Sequence, residues 1–259
     1  LKVVILCGGQ GTRIRDVTDA IPKPMLNIGQ YPILWHIMNY FASYGHKEFI
    51  LCLGYKSHVI KDFFLNLRAH TSDLSIDFST ASTTYHTDLG TIDWKVTLAE
   101  TGLNTMTGGR ISRIKKYVGD DESFFLTYGD GVGDIDLDEL LKFHRSHSKT
   151  LTVTGVRPPG RFGELVTDGQ GTALEFNEKP QSANGMISGG FFACRRGVFD
   201  YLEDDSRLVF EEGPIRSIVR DRQLMVYKHE GFWQPMDTHR EYTYLNDIFL
   251  KGSAPWVRR

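Results

Sequence analysis

Arg13, Lys23, Asp130, Lys179 and Asp237 are the charged residues whose neighbours could put them to chemical use. Arg13 closes "CGGQGTR", a glycine-rich turn that follows an apolar run directly. Glycines after a buried strand let backbone come close to a ligand. Consecutive N–H groups there form an anion nest that a forked guanidinium can reinforce. For so short a motif a plain strand-to-helix turn is an equal reading. In "PKPM" the prolines fix the backbone on both sides of Lys23, and a rigidly presented ammonium suits phosphate. Taken alone, that tetrapeptide reads more simply as an exposed lysine between turn prolines.

Two carboxylates stand in unusual settings. "FFLTYGDGVGD" places Asp130 at the end of an apolar strand, between glycines, where open α/β sheets bind ligands. It is the leading metal-ligand candidate. Asp237 follows the aromatic segment "GFWQPM", and two separated aspartates converging on one Mg²⁺ is a common arrangement when substrate phosphates complete the shell. Asp237 or Thr238 serves equally as the cap of a helix over 239–250. "FNEKPQ" presents Lys179 just before a proline, and "ISGGFF" puts Gly189 and Gly190 at the start of an apolar strand, where a polar ligand can lie against backbone.

The standard cradles fail. A dinucleotide turn needs a third glycine where Ile14 stands, and an acid after the second strand, where Gly54, Tyr55 and Lys56 follow Leu53. That disfavours an NAD-dependent oxidoreductase. Thr12 and Arg13 stand where a Walker loop requires Lys-Ser or Lys-Thr. His144 and His147 share a helix face without a third ligand, so zinc is not expected, and no serine sits in a nucleophile elbow.

These residues need elements to hold them. Apolar runs over 2–7 and 48–53 read as strands, each followed by glycine and helix-period sequence. Between them Ile33, Ile37, Tyr40 and Phe41 form one helical stripe, with Pro32 at the start and Gly45 at the stop. A further helix over 59–67, strands near 74–78 and 95–99, a helix over 110–118, a strand over 123–128 and a helix over 137–147 continue the rhythm. This predicts an α/β fold with a mixed, mostly parallel central sheet covered by helices on both faces. In the second half "TLTVTGV" and "GELVTDGQGTALEF" alternate as strands, with Asp168 and Gly169 at a hairpin turn, so antiparallel strands should extend or flank the sheet. Residues 79–94 are polar and aperiodic, fitting a functional loop, an oligomer contact or a solvated excursion.

The chain of 259 residues, 41% hydrophobic, suits one domain, whose strand-rich second half should hold an acceptor pocket. A net charge of −2 with dispersed Lys and Arg excludes the basic field of a nucleic-acid binder. Cys7, Cys52 and Cys194 lie far apart in apolar runs and read as core residues, not as a disulfide framework or a metal site. There is no span long enough for a membrane and no signal-peptide pattern, so a cytoplasmic protein without a membrane partner is expected, its initiator Met omitted before Leu1.

In this order and spacing, "LCGGQGTR", "PKPM", "TYGDG", "FNEKP", "GGFF" and "FWQPMDT" resemble the sugar-phosphate nucleotidylyltransferases over essentially the whole chain. "PILWHIM", "TGGR", "PPGRFG" and "KGSAPW" resemble the glucose-1-phosphate cytidylyltransferase branch. The resemblance implies a Rossmann-like nucleotidyltransferase fold, Mg²⁺ dependence, a homo-oligomer, and CTP and a sugar 1-phosphate as substrates. It implies that Leu6, Gly8, Gly9, Gly11, Thr12 and Arg13 surround the nucleotide, with Lys23 against the triphosphate. Thr107, Gly108, Gly109 and Arg110 would lie near the cytosine. Tyr128, Gly163, Glu178, Lys179, Ser188, Gly189 and Gly190 would hold the sugar phosphate, and Asp130 and Asp237 the metal; Arg13, Lys23 and Asp130 would be catalytic. Two residues depart from the pattern: Ser188 replaces a usual Asn, and Tyr31 a usual Lys, which leaves a related acceptor phosphate as an alternative. A non-catalytic nucleotide sensor would be expected to lack one of the five charged residues, and all five are present.

Overall fold

Apolar residues recurring at every position of "VVILC" commit the first strand to burial on both faces, and the sheet is built outward from it. In the computed structural model, which describes residues 1–11, 21–86, 92–158, 164–167, 173–177 and 185–258, seven strands form the central sheet. They are β1 (Lys2–Leu6), β2 (Glu48–Leu53), β3 (Lys95–Glu100), β4 (Ser123–Tyr128), β5 (Leu151–Val156), β6 (Ile187–Arg195) and β7 (Leu224–His229). Their spatial order is β7-β5-β6-β4-β1-β2-β3. β1 pairs in parallel with β2 and β4, β2 with β3, and β5 with β7.

β6 alone runs antiparallel to its neighbours β4 and β5. Of the strands expected to extend or flank the sheet, β5 extends it, antiparallel to β6, and Glu164–Thr167 with Ala173–Asn177 pair apart from it. The reversal of β6 has a consequence for the site: the start of β6, with Gly189 and Gly190, lies at the edge where β1, β2 and β4 end.

Side chains alternate across the sheet with the period of two that strands impose. Val3 and Ile5 face a cluster with Phe41, Phe125, Leu140 and Leu245, whereas Val4 and Leu6 face one with Ile111, Phe124, Phe199 and Ile218. Helices cover both faces, as the rhythm predicts. On the first side are α1 (Ile33–Ser43), α4 (Leu137–Arg145) and α6 (His239–Leu250); on the second are α3 (Thr107–Arg113) and α5 (Pro214–Arg220). α1 buries Ile33, Ile37, Tyr40 and Phe41 and stops before Gly45, whose φ of 83° an L side chain would resist.

Several expectations need correction. The helix expected over 110–118 begins earlier, at Thr107, and breaks at Ile114 before a short turn of helix at Lys115–Val118. The helix expected over 59–67 is α2 (Ser57–Leu65), followed by the short helix Leu67–Thr71. Within the polar stretch 79–94, Ser82–Tyr85 forms a strand, pairing antiparallel with Leu74–Asp77 outside the main sheet. Glu164–Thr167 and Ala173–Asn177 pair antiparallel as a hairpin would, and the expected turn at Asp168 and Gly169 lies outside the described residues.

Candidate active site

The loops leaving β1, β3 and β4 at one edge of the sheet enclose a cavity of about 380 Å³. Leu6, Gly8, Gly9, Gly11, Lys23, Thr107, Arg110, Tyr128, Asp130 and Asp237 all line it. The structure thus gathers residues spread from one end of the chain to the other. Cys7 also lines it, but burial, with Cys52 and Asp130 nearby, pushes the thiol well above its ordinary pKa. It has no thiolate character for nucleophilic work.

At one wall Lys23 lies between two carboxylates. Its Nζ donates to Asp130 Oδ2 at 2.7 Å and to Asp237 Oδ1 at 2.5 Å. The residue is 7% exposed, so the reading of an exposed lysine is overturned. Burial pulls the ammonium pKa down, but the charges and hydrogen bonds of Asp130 and Asp237 outweigh it and hold the pKa above the ordinary lysine value. Lys23 is a fixed cation.

What brings the two aspartates together is a small ribbon. Gly131–Gly133 pairs antiparallel with Trp233–Pro235, and the Met236 amide donates to Asp130 O at 2.8 Å. The helix cap that follows is Thr238: its Oγ1 accepts from the Glu241 amide, and Glu241 accepts from the Thr238 and Asp237 amides. Capping is therefore done by Thr238, and the Asp237 carboxylate faces Lys23. The two carboxylates are hard oxygen donors that already hold one cation between them. Among the described residues no three His, Cys, Asp or Glu side chains cluster as a metal cage. Two carboxylates with positions left for phosphate and water fit Mg²⁺, which favours that mixed shell over an all-protein one.

The glycines of the first loop divide by task. A Cβ on Gly9 would meet nothing within 4 Å, so its backbone is open to the cavity, and Gly11 needs glycine for its φ of 61°. Gly8 lines the cavity as well, and its lack of a side chain makes room for Arg110: a Cβ there would stand 2.2 Å from Arg110 Nη1. A Cβ on Gly54, in the loop after β2, would likewise stand 2.4 Å from Arg110 Nη1.

Arg110 is 4% exposed. It donates to Leu53 O, Thr101 Oγ1 and Gly102 O at 2.8 Å, to Gly8 O at 2.9 Å and to Leu103 O at 3.3 Å. Burial lowers its pKa, but the guanidinium stays charged. It ties the loops after β1, β2 and β3 into one floor. Gly108 and Gly109 do not line the cavity; they pack on 205–208, with both amides donating to Leu208 O. Of the "TGGR" segment, only Thr107 and Arg110 reach the cavity.

At the start of β6, the Tyr128 ring covers Gly190, where a Cβ would stand 2.5 Å from the ring and φ is 74°. Gly189 O accepts from Trp233 Nε1 at 2.7 Å. Burial, then Glu211, pushes the Tyr128 phenol well above its ordinary pKa, so it remains a neutral donor. Ser188 sits exposed at the start of β6. Tyr31 stacks on Trp35 at 4.3 Å between ring centroids and does not line the cavity. Thr12, Arg13, Gly163, Glu178 and Lys179 lie outside the described residues.

Sequence reasoning did not single out Trp233, although it stands in "FWQP" beside Asp237. His144 and His147 both contact the Thr152 hydroxyl, at 2.8 and 3.0 Å, and His144 is fully buried. The three cysteines are free and buried. No helix of the described residues is long and apolar enough to cross a membrane.

A family model described as nucleotidyl transferase matches residues 2–251. The glucose-1-phosphate cytidylyltransferase of Salmonella typhi is 44% identical over 256 residues, spanning 99% of this chain and 98% of that protein. A probable glucose-1-phosphate cytidylyltransferase of Bacillus subtilis is 44% identical over 257 residues, 99% of each. Among solved structures, HddC from Yersinia pseudotuberculosis complexed with GMP-PN superposes with a TM-score of 0.66 over 96% of this chain and 99% of that one, at 23% identity. That likeness speaks to the fold.

Proposed function

The chain belongs to the nucleotidyl transferase family, and from that premise we propose that it transfers a cytidylyl group from CTP to α-D-glucose 1-phosphate, giving CDP-glucose and pyrophosphate. The observation that carries the chemistry is the convergence of Lys23, Asp130 and Asp237 on a cavity that the open backbone of Gly9 also lines. The choice of base and sugar follows the relatives at 44% identity. CTP would bind mainly on the 1–135 half and the acceptor on the 136–259 half.

Charge decides the mechanism. A phosphate monoester with a second pKa of about 6 is mostly ionised at neutral pH, so the sugar-phosphate oxygen needs no general base to attack the α-phosphate in line. The obstacle is pressing one polyanion onto another. Catalysis is then positioning and neutralisation. Backbone N–H groups of Gly9 and Gly11 would cradle the departing phosphates, with Arg13 beside them, and Lys23 would meet the negative charge that grows on the pyrophosphate. Lys179 would neutralise the acceptor phosphate, with Gly189 and Gly190 leaving room for the sugar ring.

Asp130 and Asp237 would hold Mg²⁺, which when bound supplies charge neutralisation across the reacting phosphates. Lys23 also faces both carboxylates with its positive charge. Ser188, where the family commonly has Asn, favours one second reading: the same transfer to a related sugar phosphate, because serine reaches less far toward sugar hydroxyls.

Pyrophosphate release with Mg²⁺, measured across four nucleoside triphosphates and a panel of sugar 1-phosphates, tests the assignment. CTP with glucose 1-phosphate should give the highest kcat/KM. A different preferred sugar moves the assignment to the second reading, and no release with any pair removes both.

A further inference from the structure

Glu211 carries no role in the account so far and does not line the cavity, yet its carboxylate joins two residues that do. The Tyr128 hydroxyl donates to Glu211 Oε1, and Thr107 Oγ1 donates to Glu211 Oε2 at 2.7 Å. Tyr128 belongs to the acceptor side, where its ring lies on Gly190; Thr107 opens α3, the nucleotide side. One carboxylate thus spans the two halves of the site, using each of its oxygens once.

The carboxylate is held in place from below. Phe210, fully buried, packs edge-on against Phe192 of β6 at 5.8 Å, and its amide donates to Thr107 Oγ1 at 2.9 Å. The Thr107 hydroxyl therefore accepts from one neighbour and donates to the next, which fixes its rotor. Glu211 itself is exposed. Bonds between an exposed carboxylate and neutral hydroxyls contribute little to stability, because water competes for every partner. Their effect is on geometry.

We propose that Glu211 is a positioning residue that sets the spacing between nucleotide wall and acceptor floor by clamping Thr107 to Tyr128. This rests on the transfer reaction proposed above. In-line attack requires the two substrates at near-contact distance along one axis, and a displacement of about 1 Å can cost as much as 100-fold in rate. Releasing Tyr128 frees its ring to leave Gly190 and lets the acceptor settle off axis. Nucleotide contacts at Gly9, Gly11 and Lys23 are untouched.

The test is a double-mutant cycle on turnover of the sugar phosphate that the wild type uses. Glu211→Ala should lower kcat roughly 10- to 100-fold and raise KM for the sugar phosphate, with KM for CTP within about threefold of wild type. In a Tyr128→Phe background the same substitution should cost less than about threefold, because the clamp has already lost one jaw. The melting temperature should be unchanged in Glu211→Ala, which separates positioning from folding. Wild-type kcat and KM in Glu211→Ala overturn the proposal, as does a loss fully additive with Tyr128→Phe or one confined to KM for CTP. A wild type that turns over no pair removes the reaction, and this clamp with it; an active wild type with an indifferent Glu211 removes the clamp alone.

Discussion

Replacing Arg110 by Ala distinguishes support of the cavity floor from contact with the nucleotide. The side chain is 4% exposed and reaches five acceptors. After truncation Leu53 O keeps the Thr101 amide at 3.0 Å and the Thr101 hydroxyl at 2.6 Å, and Gly8 O keeps the Tyr55 amide at 3.1 Å. Gly102 O and Leu103 O lose their Arg110 donors. Two weakened acceptors at about 1 kcal/mol each, plus about 1–2 kcal/mol for the lost packing of the stem, are partly offset by relief of a buried charge. The net is a loss of about 2–3 kcal/mol. Urea unfolding followed by circular dichroism should show a lower midpoint with the slope unchanged. Turnover should fall for CTP and sugar phosphate alike, since the floor under both loosens. Arg110→Lys should not rescue it, because one ammonium cannot reach the carbonyls of three loops. An unchanged midpoint with a rise in KM for CTP alone would refute this reasoning and make Arg110 a direct nucleotide contact.

Asp130→Asn should cut turnover by about two orders of magnitude or more while the unfolding midpoint holds, since the amide oxygen can still accept from Lys23; near-normal activity removes Asp130 from the site. Lys23→Met should lower kcat about 10²- to 10³-fold, as loss of a charge-stabilising donor does, and steady-state kinetics that shift only KM would contradict it. Gly190→Ala, with a φ of 74° and a clash on Tyr128, should lose stability and acceptor binding, whereas Gly9→Ala, with open space around it, should fold normally and show its defect in CTP binding; calorimetry and titration of each substrate compare the two. His144 has its pKa lowered to about 4 by burial and then by Arg195, below an unfolded value of about 6.5. The unfolded chain therefore binds the proton first, and stability falls as pH drops from about 6.5 to 4, by about 3 kcal/mol at most. Melting temperature against pH should flatten across that window in His144→Gln.

What the sequence made legible follows from the range of each signal. β2 and β4 were read to the residue because continuous apolar runs bounded by glycine are local patterns. Asp130 was legible as a site residue because open α/β sheets bind ligands at the carboxyl ends of their strands. The direction of β6 was not readable, since "ISGGFF" has the same composition in either orientation. The meeting of Asp130 and Asp237 was expected from the chemistry of paired carboxylates and from the resemblance, but no local pattern encodes it, since it depends on pairing Val132 with Gln234 across more than a hundred residues. Gly8 illustrates the same limit. Its sequence neighbours point to a ligand, whereas the group that excludes its Cβ is the guanidinium of Arg110. Composition marked Lys23 as exposed, and only the converging carboxylates explain its burial. Glu211 carries no sequence signal for the clamp proposed above, because that proposal rests only on what its two oxygens join.

The central claim is that a sugar-phosphate oxygen attacks the α-phosphate of CTP directly. Supplying glucose 1-phosphate with ¹⁸O in its phosphoryl oxygens and resolving the products by mass spectrometry tests it in one step. The account predicts CDP-glucose carrying all of the label, including its bridging oxygen, and pyrophosphate carrying none. Label in the pyrophosphate, or CDP-glucose that has lost the bridging label, would contradict it.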